Sequence, residues 1–250
     1  MRVKNIIIKL LAAIFWIIVW QILAMAVGMT VLLPSPLETF TTLCDLVVTA
    51  EFWLSCAMSI YRILSGLLTG AIAAVLLASL THVSTIAYNM FSPILTVIKA
   101  TPVASFILLS LIWIGREKVP SFMTFLVVLP IIWSSVHHSI SRVDQKLIEI
   151  TDVFQFTKTQ KLRHLYIPSV FPAFLSSFMT SVGIAWKAGV AAEVLATPKF
   201  SIGKSIFESK KYIETTELFA WTATVIVLSL IIEKLLLRVC LWASERSTND

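Results

Sequence analysis

Long hydrophobic blocks alternate with short polar stretches along this chain. Six of the blocks are long enough to cross a bilayer, because about 20 consecutive apolar residues span its hydrocarbon core. We therefore predict an all-α integral membrane protein, a single domain of residues 1–250, with six transmembrane helices. These helices are predicted at residues 10–33, 56–80, 92–114, 121–140, 169–196 and 218–236.

The connections between the blocks differ in polarity. Leu33-Pro34-Ser35-Pro36 ends the first block, since proline disfavours helix at the residue before it, and residues 37–52 follow as an amphipathic segment. Residues 81–91 are predicted to form a short loop without lysine or arginine, and residues 115–120 a tight loop. Residues 197–217 are predicted to form a long loop that carries four lysines.

The longest polar run lies between the fourth and fifth blocks, within residues 141–168. Asp144 is placed to cap a first short helix, and Thr157 stands three residues before Gln160, the spacing of a capping box at the start of a second. Pro168 is predicted to end the second helix and to begin the next membrane segment. Two short helices at an angle suggest a docking surface for a soluble partner. A basic loop that merely follows the positive-inside rule fits the same residues.

One face of the second block carries small residues at four-residue intervals: Gly66, Gly70, Ala74 and Ala78. Small residues at that spacing allow two membrane helices to approach closely. We therefore predict that this face packs against another helix.

Apart from Glu233 and Lys234 at the inner end of the sixth helix, four charged residues lie inside the predicted membrane helices: Arg62, Lys99, Lys187 and Glu193. A charge at mid-bilayer costs about 2.5–3.5 kcal/mol, so it faces a cavity or a partner rather than lipid. All four are candidates for lining a translocation path, in the order Lys99, Lys187, Glu193 and Arg62. The alternative is structural, with Lys99 in an ion pair, Glu193 capping or pairing, and Arg62 pairing or reaching the interface. Three cations against one acid favour an anionic solute.

The composition agrees with a membrane protein, since 58% of the 250 residues are hydrophobic, 14% are charged and the mean hydropathy is +0.89. Cytoplasmic loops that face anionic lipid explain the net charge of +6, and no run of basic residues interleaved with aromatics predicts nucleic-acid binding. With the N-terminus inside, eleven basic residues fall in inner segments and six in outer ones. That asymmetry predicts that both termini and residues 141–168 are cytoplasmic.

The sequence contains no recognisable catalytic or cofactor motif. There is no GxxxxGK[ST] phosphate loop, and the carboxylates are too dispersed for acid–base chemistry. His137 and His138 point about 100° apart on a helix, which suits one metal ion poorly, and the three cysteines show no metal or disulfide spacing. We therefore predict no catalytic residue, no metal and no cofactor on this chain, which leaves a transport path powered by another protein.

The polar run resembles the EAA motif of ABC-importer permeases, which has a Glu-Ala-Ala, a Gly and a terminal Leu-Pro in a cytoplasmic loop. Glu149 takes the Glu position, Ile150 and Thr151 replace the alanines, and Ile167-Pro168 takes the Leu-Pro position. Gln155 stands where the family has Gly. A non-Gly residue in a left-handed turn costs about 1 kcal/mol, so this turn is either strained or differently shaped. The resemblance, to permeases of the nitrate, sulfonate, taurine and thiamine-precursor type, extends to the strings LPSP, KATPVASFILLSLIWIG and WKAGVAAEVLA.

This resemblance implies a type I ABC-importer permease fold in the bacterial cytoplasmic (inner) membrane. It implies two permease copies around a central path, ABC ATPase subunits that hold ATP and Mg, and an extracytoplasmic solute-binding protein. The residues that it assigns to ATPase coupling are Glu149, Thr151, Gln155, Phe156, Leu165 and Pro168. An alternative function is a secondary transporter or channel without an ATPase, which predicts an inverted internal repeat. An integral-membrane enzyme would instead need His, Asp or Glu clustered at one depth.

Overall fold

The computed structural model describes the backbone of residues 2–249 and the side chains of residues 7, 8 and 10–239. Within that range every regular element is helical, which confirms the predicted all-α class. The helices are α1 Arg2–Val27, α2 Pro36–Val47, α3 Ala50–Val83, α4 Thr85–Ala100, α5 Val103–Trp113, α6 Val119–Ser141, α7 Gln145–Val153, α8 Lys158–Lys161, α9 Ile167–Ala196, α10 Ile202–Lys211 and α11 Thr215–Asn249. A π-helical turn, Leu162–Tyr166, joins α8 to α9.

Five helical segments of the described chain are long and apolar enough to cross a membrane, and the bent pair α4–α5 makes a sixth crossing if it counts as one span. Six residues used to predict the orientation or the inner interface lie outside the described side chains: Arg2, Lys4, Lys9, Cys240, Trp242 and Arg246.

Helices α3, α6 and α9 pack together and form most of the hydrophobic core. Leu67 on α3, Ile132 on α6 and Val182 on α9 are at most 3% exposed. Lipid tails are as apolar as these side chains, so close packing, rather than exclusion of water, holds such helices together in a membrane.

The four small residues of α3 lie in the contact between α3 and α6. Ala74 and Ala78 are completely buried. A Cβ on Gly66 would lie 2.2 Å from the carbonyl oxygen of Ser121, and one on Gly70 would lie 3.1 Å from that of Phe125. At Gly66, a larger residue would therefore require the backbones of α3 and α6 to move apart.

The first helix ends earlier than predicted, at Val27 rather than at residue 33. Gly28 follows with a φ of +64°, the left-handed conformation with which glycine commonly ends a helix. Ser35 then caps α2 and exchanges hydrogen bonds with Glu38, a capping box that the amphipathic pattern alone does not reveal.

The predicted loop at residues 81–91 is wrong, because nearly all of it is helical. Helix α3 continues to Val83, and α4 begins at Thr85. Ser84 between them is extended, with φ −125° and ψ 111°, and its side chain accepts a hydrogen bond from the N–H of Ala87. One residue therefore ends α3 and caps α4.

The third membrane segment, predicted at residues 92–114, is broken into two helices. Helix α4 ends at Ala100 and α5 starts at Val103, and the two are bent by 109°. Pro102 lacks an N–H and disfavours helical backbone at Thr101, whose ψ is 133°. Proline at this point thus breaks the membrane segment instead of merely kinking it.

The predicted loop at residues 197–217 contains a helix, α10. Ser201 caps it and accepts a hydrogen bond from the N–H of Lys204. Helix α10 packs against α9 and α11, so most of this connection is folded onto the bundle.

Candidate coupling segment and intramembrane charges

The first half of the polar run is a capped helix, α7. The side chain of Asp144 accepts a hydrogen bond from the N–H of Lys146 at 2.9 Å, which confirms the predicted cap. Thr151 is 7% exposed, and its hydroxyl donates to the carbonyl of Ile148 at 2.6 Å. The carbonyl of Thr151 accepts from the N–H of Phe156 at 2.9 Å, which closes the end of the helix.

Gln155 follows α7 in the left-handed conformation, with a φ of 52°. This is the conformation that its place at the motif's glycine position implies, and it costs a non-Gly residue about 1 kcal/mol. The N–H of Gln155 donates to the carbonyl of Asp152 at 3.0 Å, while its side chain is exposed. The turn is therefore held by backbone hydrogen bonds at the helix end.

The second half begins with the predicted capping box, which is confirmed. Thr157 Oγ1 accepts from the N–H of Gln160 at 3.3 Å, and the Gln160 side chain accepts from the N–H of Thr157 at 2.8 Å. An ion pair between Asp152 and Lys161 joins α7 to α8. We call residues 144–166 the polar elbow, since these contacts hold its two halves together.

The prediction that Pro168 ends a separate second helix is wrong. Helix α8, the π turn and α9 form one continuous helical segment, Lys158–Ala196. In the π turn the N–H of Ile167 donates to the carbonyl of Leu162, one residue further back than in an α-helix. This wider turn accommodates Pro168, whose missing N–H and ring would disrupt a regular α-helical ladder. The expected second helix is thus the first turn of the fifth membrane helix.

The six residues assigned to coupling fall into three exposure classes. The exposed ones are Glu149, Gln155 and Pro168, the half-buried one is Phe156, and the buried ones are Thr151 and Leu165.

Helix α7 and Phe154, the residue that follows it, also expose apolar side chains, of which only Ile150 stands at a motif position. Leu147 is 45% exposed, Ile150 50%, Val153 81% and Phe154 71%. Contiguous exposed apolar side chains beside polar residues mark interaction surfaces. The polar elbow therefore offers a partner both an apolar patch and charged groups.

A buried charge cluster lies at the opposite end of α9. Glu193 is completely buried and Arg62 is 4% exposed, with 3.7 Å between Arg62 Nη1 and Glu193 Oε1. Arg62 also pairs with Glu117 at 2.7 Å, and the hydroxyl of Ser59 donates to Glu193 Oε2 at 2.7 Å. Glu193 Oε1 makes no hydrogen bond to a described residue. Arg62 and Glu193 are therefore partners inside one subunit.

The same cluster holds the loop that follows α9. Arg62 donates to the carbonyl of Phe200 at 3.0 Å, and Glu193 Oε2 accepts from the N–H of Gly203 at 3.2 Å. Thr197 and Phe200 have φ values of 46° and 47°, and non-Gly residues persist in this conformation only where their surroundings impose it. The cluster thus ties α3, α9 and α10 together.

Lys99 and Lys187 lie apart from this cluster, and both are exposed in the single subunit. Lys99 is in the last turn of α4, just before the break. Lys187 is on the face of α9 that also exposes Ile184 and Ala191. Among the described residues neither lysine forms an ion pair. The four path candidates therefore divide into a buried pair and two exposed cations.

Sequence reasoning missed Ser59 and Glu117 as partners in the charge cluster. Ser59 lies 134 positions from Glu193 and Glu117 lies 55 positions from Arg62. The one available signal was that Ser59 precedes Arg62 by three residues and so shares its helix face.

The two adjacent histidines have separate environments. The His137 ring lies near the rings of Tyr88 and Trp133, with centroids 4.9 Å and 5.5 Å away, and His138 Nδ1 lies 2.7 Å from the carbonyl of Ser134. The described residues contain no group of three side chains that could hold a metal ion.

Comparison with known proteins places these features in context. The sequence profile of the family described as "Binding-protein-dependent transport system inner membrane component" matches residues 66–239. The putative aliphatic sulfonates transport permease protein SsuC of Bacillus subtilis (strain 168) is 26% identical over 207 residues, 82% of this chain and 74% of the relative. The taurine transport system permease protein TauC of Escherichia coli (strain K12) is 20% identical over 220 residues, 86% and 80% of the two chains. A nitrate import permease protein NrtB of Synechocystis sp. is 25% identical over 191 residues, 72% and 68% of the two chains.

Proposed function

The chain belongs to the family of binding-protein-dependent transport system inner membrane components, and we propose that two copies of it form the path of an importer for a small anionic solute. As a family member it is a multi-pass inner-membrane permease subunit of an ABC transporter and is not itself catalytic. Such a system includes an ATPase and a binding protein. A secondary transporter or channel without an ATPase is therefore set aside.

The polar elbow is the surface that we assign to the ATPase. The assignment rests on the exposed apolar side chains of α7, which no other described part of this subunit covers. We propose that the ATPase covers them. Glu149, exposed on the same helix, adds a charge to that surface. In this arrangement ATP and Mg are held by the ATPase, and this chain contributes the docking surface.

Two observations support an anionic solute. The relatives named above are described as permeases for aliphatic sulfonates, taurine and nitrate, and each of these solutes carries an anionic sulfonate or nitrate group. In this chain, Lys99 and Lys187 are exposed cations on membrane helices, and such charges face a bundle interior or a water-filled cavity rather than lipid.

The break beside Lys99 adds to this positive character. The N-terminus of α5 has no side-chain cap, so its first N–H groups present partial positive charge. We propose that Lys99 and Lys187 line the path where two copies meet. The exposed face of α9 that carries Lys187 is then covered by the second copy.

Arg62 and Glu193 are proposed to brace the subunit rather than to contact the solute. Both side chains are already engaged within one chain, and the loop after α9 depends on them. Of the two roles considered above, we therefore assign the structural one to Arg62 and Glu193. We assign the path-lining role to Lys99 and Lys187.

Association with an ATPase tests the assignment of the polar elbow. The tagged full-length chain is co-expressed with ABC ATPases of the same organism, and the co-purified ATPase is quantified. Phe154→Asp places a charge on the apolar patch of α7, and Phe207→Asp makes the same change on α10, where Phe207 is 41% exposed. Loss of the ATPase with Phe154→Asp alone supports the assignment. Equal recovery with both variants contradicts it.

Uptake into proteoliposomes that contain the assembled complex tests the solute class. Methanesulfonate and nitrate serve as anionic solutes and choline as the cationic control. A hydrogen bond to a charged group is worth about 1.5–3 kcal/mol, so Lys99→Gln or Lys187→Gln should raise the KM for the anion about tenfold or more. Lys234→Gln, an exposed lysine in the second half of α11, is the matched control. Uptake of choline but of neither anion would overturn the proposed solute class.

A further inference from the structure

A polar cleft of about 660 Å³ opens between α6 and α9, next to the start of the polar elbow. Its size suits an ion with a short organic tail, because small-molecule sites in proteins typically measure about 300–1,000 Å³. The cleft lies beside the C-terminal end of α6 and the first turn of α9. It is thus at the opposite end of α9 from the charge cluster of Arg62 and Glu193.

The cleft is lined by an unusual number of hydrogen-bond donors. Ser134, Ser135, Ser139 and Ser169 contribute four hydroxyls. Ser135 donates to the carbonyl of Ala173 at 3.1 Å, whereas the other three hydroxyls make no hydrogen bond to a described residue. Three hydroxyl donors are therefore available to a ligand.

Two basic side chains line the same cleft. Arg142 has no carboxylate within ion-pair distance among the described residues, so its guanidinium is available for a bidentate contact with an oxoanion. His138 Nδ1 lies 2.7 Å from the carbonyl of Ser134. A carbonyl only accepts, so Nδ1 carries the proton and the ring orientation is fixed.

One acidic side chain, Asp144, also lines the cleft. Its Oδ1 accepts the capping hydrogen bond from the N–H of Lys146, so the carboxylate is already used by α7. Three free hydroxyls and a guanidinium therefore outnumber the single acid in the cleft.

We propose that this cleft binds an oxoanion through Arg142 and the serine hydroxyls. Resting on the proposed function, the ligand is the transported sulfonate or nitrate as it leaves the path. The phosphate of an anionic lipid headgroup presents the same chemistry at the membrane surface, so the experiment separates the two sources. A ligand in the cleft lies next to Asp144, the first residue of the polar elbow, so its binding affects the segment that we assign to the ATPase.

Thiol protection measures binding in the full-length chain. Val143 lines the cleft without offering a donor, so Val143→Cys provides a reporter after Cys44 and Cys240 are replaced by Ser. The remaining cysteine, Cys56, is only 4% exposed. The chain is held in nanodiscs and labelled with uncharged N-ethylmaleimide, in methanesulfonate or in chloride of equal ionic strength. Bound anion slows labelling by a factor of 1 + [L]/Kd, about threefold at twice the Kd.

Labelling rates are compared between nanodiscs of different lipid composition to identify the source of the ligand, and between two arginine variants to test the role of Arg142. Protection by methanesulfonate in phosphatidylcholine nanodiscs indicates a free solute, and protection by phosphatidylglycerol without methanesulfonate indicates a headgroup. Either result supports an oxoanion site if Arg142→Gln abolishes the protection and Arg238→Gln, which lies outside the cleft on α11, preserves it. Equal labelling in all arms, or protection that survives Arg142→Gln, overturns the proposal.

The proposed function can fail separately. If the complex imports anions but methanesulfonate and phosphatidylglycerol leave labelling unchanged, the cleft does not bind an oxoanion and the importer assignment stands. If the cleft is protected but the assembled complex takes up no anion, the site stands and the solute class is wrong.

Discussion

Replacing Gly66 with Ala tests the close contact between α3 and α6. The added Cβ would lie 2.2 Å from the carbonyl oxygen of Ser121 and 2.8 Å from Cβ of Thr124, well inside van der Waals contact. Two of the three nearest atoms belong to the α6 backbone, so no side-chain rotation relieves the clash. Overpacking of this kind costs about 1–3 kcal/mol.

Gly183→Ala provides the matched control on another membrane helix. A Cβ at Gly183 meets no atom within 4 Å, while both substitutions gain the same helix propensity, about 1 kcal/mol. The difference in unfolding free energy between the two variants therefore isolates the clash. We expect Gly66→Ala to be less stable than Gly183→Ala by about 1–3 kcal/mol.

The measurement is unfolding of the purified full-length chain, followed by tryptophan fluorescence during titration with a denaturing detergent. Gly70→Ala, where the Cβ would lie 3.1 Å from the nearest backbone oxygen, should fall between the other two variants. If Gly66→Ala is as stable as Gly183→Ala, the helices do not approach each other at Gly66 and the packing described for α3 and α6 is refuted.

Three further predictions concern the charge cluster and the polar elbow. Arg62→Ala leaves Glu193 buried without a cation, so the free energy of unfolding should fall by about 3–5 kcal/mol; exposed Arg116→Ala is the control and should change it little. Gln155→Gly removes the left-handed cost of about 1 kcal/mol, so slower amide exchange is expected at the end of α7, and faster exchange would contradict the strain. Glu149→Ala and Phe156→Ala should lower the solute imported per ATP hydrolysed, and an unchanged ratio in both variants would count against the assignment of coupling to these residues.

The features that the sequence predicted well depend on neighbours along the chain. The caps at Asp144 and Thr157 need only residues two or three positions away. The motif position of Gln155 left open whether the turn there is strained or differently shaped, and its φ of 52° shows that it is left-handed. The break at Thr101 was not predicted, although Pro102 disfavours helical backbone there. The 109° bend at that break is set by packing, which the sequence pattern does not contain.

The features that the sequence did not predict depend on distant contacts. Glu117 and Ser59 gain their roles only when folding brings them to Arg62 and Glu193. Pro168 disrupts the hydrogen bonds of a regular α-helix, and the π turn before α9 lets the helix continue past it. A helix that ends before Pro168 would satisfy the same constraint, so the sequence alone does not distinguish the two outcomes. The exposure of a charged side chain is likewise not predictable from its position in the sequence. Lys99 and Glu193 are both charges within predicted membrane helices, but Lys99 is exposed and Glu193 is completely buried.

The continuity of α8 and α9 connects the two ends of the subunit mechanically. The segment Lys158–Ala196 has 39 residues, about 58 Å of helix at 1.5 Å per residue. The second half of the polar elbow forms the start of this segment, and Glu193, in the cluster with Arg62, lies near its end. Because that cluster ties α9 to α3 and α10, we expect a displacement of α8 by a partner to turn α9 about its fixed end. Spin labels at Lys158→Cys and Lys234→Cys, on α8 and α11, report this motion in the assembled complex, because Lys234 lies on a different helix from the fixed end of α9. A distance between them that stays the same with and without ATP would show that α9 does not transmit the displacement.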